Sequence, residues 1–424
     1  MGVSLAMDRS SSFPQAPRGE IGALALLLIV VAAGRALAAE LSAAKPEQVG
    51  LSSERLDRIT QVLRADVERG RIPGAVVLVA RKGRVAYLQP VGFRDKDSGA
   101  PMTADAIFRI ASMTKPMVTV AALSLYEEGR LLLSDPVSKY IPAFKEQKVG
   151  LERAAVEREM TIQDLMRHTS GLTYGNRGTT EIYKMYPESS NVSSLTLTMD
   201  EFIERLGKAP LLYQPGTWWE YSLSTDVLGR VVEIVAGKPL GEVLAERVYR
   251  PLKMADTTFL VAADKRARIA QGLPTHPETG ADYKLADPSV PRKFDCGGGC
   301  AVSTASDYAR FAQMLLHRGS LDGARVLGSR TVDFMTSDHL GSISRGAFSA
   351  SPGYTWGLGL AVRQDKGLAP MPGSPGDFFW PGAYATYWWA DPKEEMVVVF
   401  MTQSPLGRHY QQLLRGLVYQ TIVE

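Results

Sequence analysis

The sequence predicts an α+β fold in which one sheet is assembled from the two ends of the chain and a mostly helical region is inserted between them. Three observations carry this: β-forming runs near both termini, helical periodicity through the middle, and the composition of a large folded chain. The 424 residues are 45% hydrophobic and 22% charged, with 48 Lys+Arg against 45 Asp+Glu and a formal net charge of +3. Disorder requires fewer apolar residues and more charge imbalance, and a nucleic-acid binder shows a concentrated basic stripe. Neither pattern is present, so no nucleic-acid partner is expected. The length allows about two or three domains, with a core large enough to need no metal or disulfide staple.

From the N-terminus, Arg9 and Arg18 precede an apolar run over residues 21–34, and Ala36-Leu37-Ala38 supplies the small residues a signal peptidase reads. Arg35 ends the run short of the ~20 residues of a spanning helix. Residues 1–38 are therefore expected to be a cleaved signal peptide, giving an exported protein, periplasmic or secreted, with no stable membrane span. Leu56, Ile59, Leu63 and Val67 recur at helical spacing between a Ser52-Ser53 cap and Gly70. Residues 74–80 and 85–88 then read as a hairpin across Lys82-Gly83. Helices are expected over 116–129, 161–168, 200–206, 226–236, 240–249 and 306–317. A second strand pair, 384–390 and 396–401, turns at Asp391-Pro392, and a helix over 406–423 closes the chain. The division expected is a sheet domain over 39–108 and 321–424, split by a mostly helical domain over 109–320 that carries the nucleophile helix.

Cys296 and Cys300 are separated by Gly297, Gly298 and Gly299. An oxidising compartment permits a disulfide here, although so short a ring restricts little of the unfolded chain; two free thiols fit the sequence equally well. The five histidines are scattered, with no His-Glu-x-x-His pair, so no metal site is expected.

The sharpest local signal is Phe108-Arg109-Ile110-Ala111-Ser112-Met113-Thr114-Lys115-Pro116, followed by an apolar helix. A serine where a helix begins meets unpaired N–H groups and the positive end of the helix dipole, which favour developing negative charge. Lys115, three residues on, shares its face. A lysine withdrawn from water can take the serine proton and make the hydroxyl a nucleophile. Ser42-Ala43-Ala44-Lys45 has the same spacing, but no apolar helix follows it.

Two further segments stand in order: His168-Thr169-Ser170-Gly171-Leu172, then Pro215-Gly216 leading to Tyr221-Ser222. Together with Ser112-x-x-Lys115, over residues 51–403, the chain resembles the serine β-lactamase and penicillin-binding-protein superfamily, most closely the class C-like branch that includes the family VIII carboxylesterases. The resemblance implies a class C β-lactamase-like fold, with an antiparallel sheet flanked by helices. It also implies Tyr221 as partner of Lys115 in proton transfer, and a structural place for His168. No Gly-x-Ser-x-Gly elbow occurs, so an α/β-hydrolase triad is rejected.

The family's third element, a cation, one residue and Gly on a strand beside the nucleophile, is matched here by Trp380-Pro381-Gly382. The indole replaces the cation that lactamases use to bind the ring carboxylate, which implies a neutral, apolar ligand. By the same analogy the Ala383 N–H joins the Ser112 N–H in an oxyanion hole. Leu223 stands where lactamases carry an asparagine for the acylamino side chain, and Tyr174 is a candidate pocket wall. With Trp380 and Gly382 these complete the expected substrate-binding set. The expectation is a cofactor-free carboxylesterase for short to medium acyl chains, acting through a Ser112 acyl-enzyme on a small-molecule ester, with minor β-lactam turnover. The alternatives are a β-lactamase or D-Ala-D-Ala carboxypeptidase, and a non-catalytic cell-wall penicillin-binding protein.

Overall fold

The computed structural model describes residues 1, 41–346, 352–365 and 367–423. Apart from Met1, the expected signal peptide lies outside the described residues. Among the described residues no helix is long and apolar enough to cross a membrane. The described residues from Leu41 onward form one compact unit.

Helix α1 (Ser53–Glu68) begins where the Ser52 hydroxyl accepts the Arg55 N–H, and Gly70 at φ +71° ends the turn after it. Strands β1 (Gly74–Arg81) and β2 (Arg84–Asp95) are joined by Lys82 and Gly83, with φ of 52° and 72° as a tight twisted hairpin demands. β2 runs well past the expected 85–88. Pro90 and Gly92 read as breakers, but β2 meets the short β3 (Ala100–Pro101) only from Phe93 onward, so the missing N–H of Pro90 faces an unpaired edge.

The other half of the sheet comes from the far end of the chain: β4 (Tyr354–Trp356), β5 (Ala361–Arg363), β6 (Phe378–Phe379), β7 (Tyr387–Asp391) and β8 (Met396–Thr402). Among the described residues these form one antiparallel sheet in the order β4-β5-β6-β7-β8-β1-β2-β3. β8 pairs with β1 from Ala75↔Thr402 to Arg81↔Met396, which joins the two chain ends. The expected strand over 384–390 starts later, because the chain turns before it and Ala385 holds φ +64°.

Both faces of the sheet are covered. On β1, Val76, Leu78 and Ala80 pack toward the helical region, while Ala75, Val77 and Val79 pack toward α1. Val397, Val399 and Met401 alternate with Val398 and Phe400 in the same way on β8. On the α1 side, α6 (Gly407–Tyr419) adds Tyr410, Leu414 and Val418. On the other face α5 (Ala305–Leu316) packs against β1, β7 and β8, and α2 (Thr114–Glu127), α3 (Ile162–Met166) and α4 (Ser224–Ala236) share the same apolar cluster. Double coverage explains why β1 and β8 read as unbroken apolar runs.

Candidate active site

Ser112 occupies a 3₁₀ turn, Ala111–Met113, that leads directly into α2. Ala111 has φ +44°, a conformation that costs an L-residue about 1–2 kcal/mol. Surrounding bonds hold it there: the Thr114 hydroxyl donates to Ala111 O at 2.7 Å, Ile110 N–H to Ala301 O at 3.1 Å, and the Tyr308 hydroxyl to Met113 O at 2.8 Å. Ala111 and Met113 are buried, but Ser112 between them is partly exposed and lines a cleft of about 200 Å³.

Lys115, one turn along α2, is fully buried. Its Nζ donates to Ser112 Oγ at 3.2 Å, to the Tyr174 hydroxyl at 3.1 Å and to Gly298 O at 2.6 Å. Three acceptors satisfy an ammonium; with one proton removed, the amine has a lone pair within reach of the Ser112 hydroxyl.

Tyr221 lines the same cleft, and its ring centre lies 4.7 Å from Lys115 Nζ. Among the described residues no hydrogen bond joins its hydroxyl to Ser112 or Lys115. It accepts instead from Trp380 Nε1 at 3.0 Å. The ring is held from behind by His168, whose centroid is 4.7 Å away. His168 closes α3 at φ +56°, its carbonyl accepts the Glu220 N–H at 2.9 Å, and its Nδ1 accepts the Ser222 N–H at 3.3 Å. Burial, aided by the charges of Lys115 and Arg177, pushes the imidazole well below its ordinary range and keeps it neutral. The histidine thus ties the 168–172 segment to the Tyr221 loop.

Burial, followed by the Tyr221 and Asp226 charges, raises the Tyr174 phenol well above its usual range, so it remains protonated. Tyr174 was expected only as a pocket wall; the structure also places its hydroxyl directly on Lys115. Leu223 is a correction: it precedes the first turn of α4 with its side chain fully buried in the core, and it does not line the cleft. Trp380 lines a different cavity, with Tyr354, Met371, Phe379 and Pro381, and reaches the reaction cleft through its bond to Tyr221.

Trp380-Pro381-Gly382 follows β6 and lies in a turn, not on a strand; Pro381 has no N–H for a ladder, and Gly382 N–H closes the turn on Thr386 O at 2.7 Å. A Cβ on Gly382 would collide with the Ile110 carbonyl and the Thr386 hydroxyl. That close approach brings Ala383 onto the cleft wall with Ser112. Among the described residues nothing accepts from the Ala383 N–H. Asn176, Arg177, Glu188 and Asn191 also line the cleft, so charged and amide groups share a wall that the indole at 380 had implied to be apolar. These residues come from the irregular 174–194 stretch, which carries no periodic signal.

The comparisons agree with this architecture. The Beta-lactamase family model matches residues 59–420. Protein Rv1367c of Mycobacterium tuberculosis is 36% identical over 365 residues, covering 82% of this chain and 90% of its own. Esterase EstB of Burkholderia gladioli is 31% identical over 364 residues, with the same two coverages of 82% and 90%. Among solved structures, EstCE1, described as a hydrolase with promiscuous acyltransferase activity, superposes with a TM-score of 0.73 at 28% identity, covering 88% of this chain and 99% of that one. A family match across most of the sequence and a shared fold lead to one conclusion: this chain belongs to the beta-lactamase family.

Proposed function

We propose that this serine hydrolase of the beta-lactamase superfamily cleaves carboxylic esters with short to medium acyl chains through an acyl-enzyme on Ser112. The single observation that carries the reading is the 3.2 Å contact between Lys115 Nζ and Ser112 Oγ at the wall of a cleft that also holds Tyr174 and Tyr221. Ser112 attacks the ester carbonyl and its proton passes to Lys115. The N–H groups of Ser112 and Ala383 receive the oxyanion. The ester C–O bond breaks and the alcohol leaves with a proton delivered by way of Tyr221. Water then repeats the sequence in reverse on the acyl-enzyme, releasing the acid.

Esters are favoured over β-lactams by two features. Trp380 stands in place of a carboxylate-binding cation, and Leu223 is withdrawn into the core where an acylamino-binding amide is expected. The similarity to an esterase and to a hydrolase with acyltransferase activity supports the same reaction class. We also propose that the chain is exported, on the strength of the apolar run and small residues before Ala39. The test is a side-by-side assay of a butyrate ester, a chromogenic cephalosporin and a D-Ala-D-Ala peptide. Ester turnover should dominate; dominant β-lactam or peptide turnover would overturn the substrate assignment.

A further inference from the structure

We propose that the disulfide-closed loop Cys296–Cys300 is a positioning element of the catalytic site, acting on Lys115 through the Gly298 carbonyl. The inference rests on the Ser112–Lys115 reading above. Cys296 and Cys300 are joined by a disulfide, with their Cα atoms 5.3 Å apart, so the three glycines between them form a ring closed at its base.

At the ring's tip, Gly298 O accepts the shortest of the three Lys115 hydrogen bonds, at 2.6 Å. On the opposite side of the same residue, Gly298 N–H donates to Asp226 Oδ1 at 2.7 Å. Asp226 is fully buried on the first turn of α4, and burial raises its carboxyl against the favourable charge of Lys115. One glycine therefore bridges a buried carboxylate and the buried amine. The loop's exit is tied to the nucleophile turn as well. Ala301 N–H donates to Thr114 Oγ1 at 3.2 Å, and Ala301 O accepts the Ile110 N–H at 3.1 Å.

The glycines are required by close approach. A Cβ on Gly297 would lie 2.7 Å from Thr225 O, and one on Gly298 would strike the Asp226 carboxylate. A run of three glycines is conformationally loose, and loose backbone cannot aim a carbonyl. The disulfide limits that freedom and leaves the carbonyl fixed on Nζ. The other groups facing this amine are Ser112, His168, Tyr174, Tyr221 and Asp226, with Arg177 stacked over Tyr221.

The experiment compares the folded enzyme before and after reduction with excess dithiothreitol. Two electrons and two protons open the S–S bond to two thiols as the reagent closes to its own cyclic disulfide. Alkylation and intact mass count the thiols, and circular dichroism confirms that the fold persists. The expected result is a pre-reduction protein with no alkylatable thiol. After reduction, kcat for a butyrate ester should fall about tenfold with KM nearly unchanged, and the pH–rate profile should move, because the amine has lost a fixed partner. Asp226→Asn, which keeps an acceptor for the Gly298 N–H, should be milder than Asp226→Ala on both readouts.

Free thiols in the untreated protein would overturn the proposal. So would full reduction with an unchanged kcat and pH profile, even if the melting temperature drops, since that outcome assigns the bond to stability alone. An untreated enzyme that resists labelling by a fluorophosphonate would instead overturn the Ser112 reading, and this inference with it.

Discussion

The Trp380 indole N–H donates to the Tyr221 phenol oxygen over 3.0 Å, so the indole orients the phenol proposed above as the second proton carrier. Trp380 is braced in turn by Trp356, whose ring centre lies 4.4 Å away and nearly perpendicular. Trp380→Phe keeps most of the ring but removes the donor. A hydrogen bond of about 1 kcal/mol corresponds to a roughly fivefold loss in kcat/KM for a butyrate ester. An unchanged kcat/KM would show that Tyr221 needs no such anchor.

Tyr174 is the phenol bonded to Lys115, and its hydroxyl is held protonated by burial and by the Tyr221 and Asp226 charges. Tyr174→Phe leaves the ring packing in place and withdraws one of three acceptors from the amine. Hydrogen bonds to charged groups contribute about 1.5–3 kcal/mol, so acylation should slow by roughly ten- to a hundredfold. Stopped-flow measurement of the alcohol burst reads this step; a full-rate burst would reduce Tyr174 to a wall.

Gly382→Ala places a methyl group against the Ile110 carbonyl and the Thr386 hydroxyl, and the turn must shift. The Ala383 N–H shifts with it. Loss of one oxyanion donor costs about 3 kcal/mol of transition-state stabilisation, so kcat should fall by roughly two orders of magnitude. Fluorophosphonate labelling and circular dichroism separate this from unfolding.

The fold also carries a pH signature away from the reaction. Burial alone raises the Asp164 carboxyl, but hydrogen bonds from Arg158, the Thr161 N–H and Arg167 outweigh it and hold the pKa at about 2. Because the folded value lies below the unfolded one of ~3.9, the stabilisation is complete above that pH and is lost as pH falls toward about 2. Its size is about 2–3 kcal/mol. Urea unfolding at about pH 5 and about pH 2 should show a smaller acid loss in Asp164→Asn than in the native sequence. Equal losses would contradict the assignment.

Much of the frame was legible in the residues. β1 and β8 are buried on both faces, so their β-branched runs stand out, and α1 announces itself by a serine cap and four regularly spaced apolar residues. β4 and β5 were not legible: each has three residues, and Gly357 and Gly359 between them read as loop. At the candidate site, ordered local motifs single out Ser112, Lys115 and Tyr221, which the structure brings to one cleft and its wall. The bonds from Lys115 to Tyr174 and Gly298 do not, because they span 59 and 183 residues of sequence and depend on how loops meet. The left-handed φ at Ala111 is equally silent, since nothing about an alanine marks strain. Leu223 was misread because a motif position fixes the residue's place in the chain and not the direction of its side chain.

The proposed mechanism requires that Ser112, activated by an amine and not by an imidazole, becomes covalently acylated. Mass spectrometry of the protein quenched during butyrate-ester turnover tests it most directly. A butyryl adduct is expected on the peptide carrying Ser112, absent from Ser112→Ala and slow to form in Lys115→Ala. An adduct on another residue, or steady ester hydrolysis by Ser112→Ala, would contradict it.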